Sequence, residues 1–158
     1  MVEMVPSRLD RVRDHTAKEI NAKIDEQIEE NIRYYSLQSS QTITQRIKEL
    51  ELEWDIERIL EMNASSIAFV GTMLGAFVSP WFLIIPALVT AFLFQHATQG
   101  WCPPMPIFRR LEKRTRNEID VEKFAMKALR GDFDGFNKSQ NPGYVERIIH
   151  AVSAYQGR

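Results

Sequence analysis

The sequence predicts an all-α protein with a two-pass transmembrane helical hairpin and cytoplasmic amphipathic helices on both sides of it. Residues 62–108 contain no Asp, Glu, Lys or Arg, although 26% of the 158 residues are charged. The flanking segments carry apolar residues at helical spacing. We therefore divide the chain into an acidic helical arm (1–61), the hairpin (62–98), and a Pro-rich exit segment with a basic helical arm (99–158).

The charge-free stretch is too long for one pass and suits two. A bilayer core is ~30 Å thick, whereas 47 residues of helix at ~1.5 Å each would reach ~70 Å. Proline removes a helix donor, so we expect the turn at Ser79-Pro80-Trp81. The predicted passes are 62–78 and 81–98, with Pro86 as a tolerated kink in the second. A soluble protein that buries the hairpin inside other helices is the alternative.

Two tryptophans and the flanking basic residues predict the orientation. Trp81 and Trp101 are 20 residues apart, about the ~30 Å between the two interfaces on one helix, and serve as interface anchors. The turn carries no basic residue, so both termini are expected in the cytoplasm. The flanking basic residues are Arg46, Lys48, Arg58, Arg109, Arg110, Lys113, Arg114 and Arg116.

Small residues recur every fourth position in both passes and are candidate helix-packing positions. They form one face of the first pass (Gly71, Gly75, Ser79) and recur in the second (Ala87, Ala91). Such faces let backbones approach closely in lipid. They predict either a homo-oligomer of hairpins or packing of one pass on the other. An adjoining stripe comprises Ala64, Ala68, Thr72 and Ala76.

The N-terminal arm is predicted to form two helices. Apolar residues every three or four positions predict a helix over 8–35 with a narrow, coiled-coil-like stripe. Thr42 and Gln45 resemble a capping box that opens a second helix, which we expect to continue without a break into the first pass.

Charge is unevenly divided between the arms. Residues 1–61 hold 9 basic and 14 acidic residues, and residues 98–158 hold 11 and 7. Because a hairpin returns the chain to the side it left, we expect the arms to dock through opposite charges. A solvated acidic face is the alternative, as is a basic arm that binds anionic lipid; nucleic acid is not an expected partner. The docking charges are Glu49, Glu53, Glu57, Arg109, Arg110 and Lys113.

Prolines dominate the segment after the hairpin. Pro103, Pro104 and Pro106 predict a stiff extended piece, followed by a short interfacial segment at 107–111. Asn117 or Asp120 can cap a helix that runs to Arg130 and stops at Gly131. A polar loop over 131–143 and a last amphipathic helix over 144–155 complete the prediction.

Cysteine and histidine offer little for chemistry. The single cysteine, Cys102, excludes an intrachain disulfide, and His96 with Cys102 gives at most two metal ligands per chain. We therefore expect neither a metal site nor a cofactor. Cys102 is a candidate thiol, activated by nearby arginines, or else a small apolar residue beside Trp101. Residues 1–14 lack the apolar core of a cleavable signal peptide.

Three features of the hairpin resemble the two-helix membrane domain of the YgaP-like family, which is named for a bacterial inner-membrane rhodanese. They are Ser79-Pro80-Trp81, the alanine-bearing second pass and Gly100-Trp101-Cys102-Pro103. The match covers about residues 56–115. The resemblance implies an integral inner-membrane domain able to form homodimers, with the family's membrane-proximal cysteine at Cys102. No rhodanese domain precedes the hairpin, so the sulfurtransferase activity does not transfer.

The sequence thus favours a non-enzymatic integral membrane protein. Its cytoplasmic helices would form an interaction or assembly platform for a protein partner, with self-association through the passes. The alternative is a membrane-tethered thiol or persulfide relay that uses Cys102. No phosphate-binding glycine loop, nucleophile triad or paired-carboxylate site is recognisable.

Overall fold

The computed structural model describes residues 10–133 and 143–156, in which all regular structure is helical. This confirms the all-α prediction. The described chain forms two compact units: a bundle unit (18–53, 116–133 and 143–156) and a hairpin unit (10–17 and 54–115). The helices are α1 (Arg11–Asp14), α2 (Lys18–Tyr35), α3 (Ser40–Leu52), α4 (Ile56–Phe77), a 3₁₀ turn (Pro80–Leu83), α5 (Ile84–Gln99), α6 (Met105–Arg110), α7 (Arg116–Arg130) and α8 (Tyr144–Gln156).

The bundle unit packs α2 and α3 from the N-terminal arm with α7 and α8 from the C-terminal arm. Helix α7 contacts each of the other three. Isoleucines at helical spacing supply most of the apolar core, as the stripe on α2 predicts. The buried apolar residues are Ile24, Ile28, Ile32, Ile43, Ile47, Leu50, Ile119, Ala125, Met126, Ile149 and Val152.

The predicted first helix is interrupted. Helix α1 ends at Asp14, and α2 begins only at Lys18. The Thr16 hydroxyl bonds the carbonyl of Val12 at 2.7 Å, which satisfies a helix end locally. The prediction of one helix over 8–35 is therefore wrong in the part that the structure describes, and Val12 is buried in the hairpin unit.

The junction between α3 and α4 also differs from the sequence prediction. Ser39 caps α3, its side chain accepting the backbone N–H of Thr42, so Thr42 is not the cap. Helix α3 ends at Leu52, and Asp55 opens α4 by accepting the N–H of Arg58 at 2.8 Å. A continuous helix into the first pass is wrong, because the Asp55 cap starts a new one.

The hairpin unit turns where the sequence predicts. Helix α4 ends at Phe77, and the 3₁₀ turn starts at Pro80 and leads directly into α5. Pro86 is the third residue of α5. The N–H groups of a first helical turn have no acceptor within the helix, so the N–H that proline lacks is little missed there. The expected kink within the pass is therefore replaced by a proline in the first helical turn.

The exit from α5 is more helical than predicted. Gly100 ends α5 in the left-handed conformation (φ 76°). The prolines then occupy a turn and the first turn of α6, positions that suit their fixed φ, so the expected extended piece is wrong. Helix α7 ends at Arg130 and Gly131 follows it with φ 92°, as predicted. Most of the predicted 131–143 loop lies outside the described residues.

Candidate functional site

The hairpin presents its apolar side chains outward. Two helical segments, one ending at Phe77 and the other spanning Pro80–Gln99, are long and apolar enough to cross a membrane. In their most apolar 18-residue windows, only 17% and 0% of residues are buried, whereas the core helix of a soluble protein would be mostly buried. The large exposed side chains include Ile67, Phe69, Phe77, Trp81, Leu88, Phe92 and Phe94.

The glycine face of α4 packs against the second pass. A Cβ added to Gly71 would lie 2.8 Å from Pro86 Cδ, and one added to Gly75 would lie 2.7 Å from Leu83 Cγ. Both glycines are buried. Small residues here allow two backbones to approach closely, so the packing interpretation describes this face.

The other predicted packing positions lie differently. Ser79 is half-buried at the turn, and Ala87 and Ala91 on α5 are exposed. The second α4 stripe is divided, because Thr72 and Ala76 are exposed whereas its first two alanines are half-buried. Exposed small residues therefore remain on the outer side of both helices.

The two candidate interface anchors have different surroundings. Trp81 lies in the 3₁₀ turn with 80% of its surface exposed. Trp101 follows Gly100, so the two tryptophans are not on one helix, and Trp101 packs against a small apolar cluster. We call this the exit cluster; its buried members are Val12, Ile56, Leu60, Cys102 and Met105.

Cys102 is a buried member of the exit cluster. It is 5% exposed. Desolvation raises the pKa of its thiol, and a backbone hydrogen bond from Met105 lowers it to a lesser extent. A raised pKa means less thiolate at neutral pH, as the small-apolar-residue interpretation predicts.

Helix α1 is attached to the end of α5. The Arg11 guanidinium donates to the carbonyl oxygens of Ala97 (2.6 Å) and Thr98 (3.2 Å), which are among the last carbonyls of α5. A Cβ at Gly100 would lie 2.8 Å from the Arg11 carbonyl carbon, so this close approach requires glycine as much as the positive φ does. The Asp10 carboxylate also accepts the Thr115 hydroxyl at 2.5 Å.

The basic candidates after the hairpin separate into buried and exposed residues. Arg109 is buried, and its guanidinium donates to the Thr16 hydroxyl (3.1 Å) and the Lys113 carbonyl (3.0 Å). Arg110 and the Lys113 side chain are exposed. Arg109 thus binds groups of the hairpin unit, whereas Arg110 and Lys113 are exposed.

Two ion pairs between the arms have the opposite sense to the predicted one. Arg46 and Arg33 of the N-terminal arm bind Glu122 and Glu146 of the C-terminal arm, each at 2.8 Å. Glu49 pairs with Arg46 on its own helix at 3.4 Å. Glu49 and Glu53 belong to the bundle unit and Glu57 to the hairpin unit. Docking of these glutamates on the basic cluster stays a prediction.

Sequence reasoning missed a buried polar cluster in the bundle unit. The Glu122 side chain is 0% exposed and accepts from Arg46 Nε (3.0 Å), Arg46 Nη2 (2.8 Å) and Asn31 Nδ2 (3.2 Å). A carboxylate on the apolar side of α7, one turn before Ala125 and Met126, was the available signal. Its partners lie 76 and 91 residues away, beyond any local pattern.

The described residues contain no group of three or more His, Cys, Asp or Glu side chains that could hold a metal ion. Comparison with family models, curated proteins and solved structures gave no match. The resemblance to the YgaP-like domain therefore stays a prediction.

Proposed function

We propose that the protein is an integral protein of the bacterial inner membrane, with both termini cytoplasmic. Helices α4 and α5 span the bilayer, and the bundle unit is a non-enzymatic platform for interaction or assembly. The observation that carries the proposal is the outward-facing apolar surface of the hairpin, which hydrocarbon would solvate favourably and water would not. The YgaP-like resemblance supports the choice of membrane.

The orientation follows from charge. Basic residues flank the hairpin at its open end, whereas the turn at residues 79–83 carries none. Short loops rich in Lys and Arg stay in the cytoplasm. The bundle unit, built from chain on both sides of the hairpin, then lies wholly on the cytoplasmic side.

Alkaline carbonate extraction of membranes tests this proposal. The full chain should stay in the membrane pellet, as an integral protein does, because burial of the two helices in lipid does not depend on surface charge. Release into the supernatant together with peripheral proteins would contradict the proposal.

Self-association is the second part of the proposal, and the structure changes the face we assign to it. Gly71 and Gly75 contact the second pass, whereas Ala87 and Ala91 remain exposed. Replacing both alanines by Ile should weaken cross-linking between copies in membranes, since bulky side chains hold backbones apart. Unchanged cross-linking in this variant would remove α5 as the self-association face.

A thiol or persulfide relay through Cys102 is the less favoured function. Burial of this residue and the raised pKa of its thiol both oppose reaction at neutral pH. Rapid persulfide transfer to Cys102 in intact membranes at pH 7 would restore it as a candidate.

A further inference from the structure

Helix α6 has two unlike faces. Its inner face is buried in the hairpin unit through Met105 and Arg109. Its outer face carries Ile107, which is 60% exposed, and the exposed Arg110, and it continues into Leu111, the C-cap residue, which is 63% exposed. Positions i, i+3 and i+4 share one side of a helix, so these residues form a single surface, which we call the α6 outer face.

The level of α6 along α4 is fixed by the exit cluster. Met105 packs in that cluster with Ile56 and Leu60. These residues precede Met62, where the charge-free stretch begins, by six and two positions, or ~9 Å and ~3 Å of helix. A headgroup layer is roughly 5–8 Å thick on each side of the hydrocarbon. If the hairpin spans the bilayer, α6 lies at the depth of the headgroups.

The polar groups of this surface suit a phosphate layer. Neither the Arg110 guanidinium nor the Lys113 ammonium is paired with a carboxylate among the residues that the structure describes. Both side chains are exposed, and each basic group near an anionic leaflet strengthens attraction to it. Apolar and basic residues side by side are typical of a segment that lies in the interface.

We propose that the α6 outer face, together with Lys113, binds anionic phospholipid at the cytoplasmic surface of the membrane. Ile107 and Leu111 insert among the upper acyl segments, and Arg110 and Lys113 contact lipid phosphates. This inference rests on the proposed membrane location and adds a lipid class to it. It also assigns separate roles to neighbouring arginines, because Arg109 binds protein groups and Arg110 binds lipid.

The test compares lipid selectivity in proteoliposomes. Full-length protein is reconstituted in phosphatidylcholine, and the relative association of spin-labelled phosphatidylglycerol and phosphatidylcholine is measured. Arg110→Gln with Lys113→Gln should reduce the preference for phosphatidylglycerol by about fivefold per charge. The matched control removes two exposed lysines of the bundle unit, Lys18→Gln with Lys48→Gln, and should leave the preference unchanged.

A second measurement tests the apolar residues of the α6 outer face separately from its charges. Ile107→Cys and Leu111→Cys, each in a Cys102→Ala chain and carrying a fluorophore, should be quenched by lipids brominated near the headgroup. Absence of quenching at both positions, or equal loss of selectivity in the Lys18/Lys48 control, would overturn the proposal. Carbonate extraction of the same samples separates the two claims, because a released chain contradicts membrane integration itself.

Discussion

The bundle unit and the α4–α5 hairpin differ in where most of their apolar side chains lie. In the bundle unit, residues such as Ile24, Ile28 and Ile32 are inside, and the carboxylate of Glu122 is buried only with hydrogen-bonding partners. In the hairpin unit, residues such as Leu88 and Phe94 are outside. The difference fits the proposal that the two units are matched to different solvents, with water around the bundle unit and hydrocarbon around α4 and α5.

The largest expected effect comes from one substitution made in both regions. Leu88→Lys places a charge near the middle of Pro80–Gln99 and should make insertion less favourable by about 3 kcal/mol. Leu37→Lys, at an exposed leucine of the bundle unit, should change folding by less than about 0.5 kcal/mol. The measurement is the membrane-inserted fraction of each variant. Equal, small effects would mean that water solvates both sites.

A somewhat smaller effect is expected inside the bundle unit. Glu122→Ala leaves Arg46 and Asn31 without their shared acceptor and should lower the free energy of unfolding by about 2–3 kcal/mol, since Arg46 retains some access to water. Denaturant unfolding followed by circular dichroism measures it.

Glu49→Ala is the matched control, because it removes an exposed carboxylate from the same arginine. Its cost should be under about 0.5 kcal/mol. Equal losses in the two variants would contradict this prediction, because the buried carboxylate would then stabilise the bundle no more than the exposed one does.

The smallest effect concerns Cys102 and pH. Because burial raises the pKa of its thiol in the folded chain, maleimide labelling of native protein should rise at higher pH than labelling of denatured protein. The sign for stability follows. The fold favours the neutral thiol. The stability that this thiol contributes is therefore full below the pKa it has in the unfolded chain, and it is lost as pH rises through the pKa it has in the folded chain. A native labelling profile shifted to lower pH would contradict this.

The sequence predicts some features of the two units and not others, for physical reasons. The turn at Pro80 is encoded locally, since proline cannot continue α4, and Gly131 likewise stops α7. The break between α3 and α4 depends on Asp55, an ordinary acidic residue until its side chain caps a helix. The pair Arg46–Glu122 requires a long-range fold, which residue spacing does not contain.

The sequence does not show what each side chain of the candidate site contacts. The small-residue spacing of Gly71 and Gly75 is the same whether the helix packs on its own chain or on a second copy. Likewise, Arg109 and Arg110 are alike in sequence, and only the contact of one with Thr16 distinguishes them.

Cysteine topology mapping tests the two-solvent account most directly. In a Cys102→Ala chain, Ser79→Cys reports the hairpin turn and Lys48→Cys reports the bundle unit. A membrane-impermeant maleimide added to intact cells should label position 79 and should label position 48 only after permeabilisation. Labelling of both positions in intact cells, or of both positions only after permeabilisation, would contradict a hairpin that crosses the membrane twice.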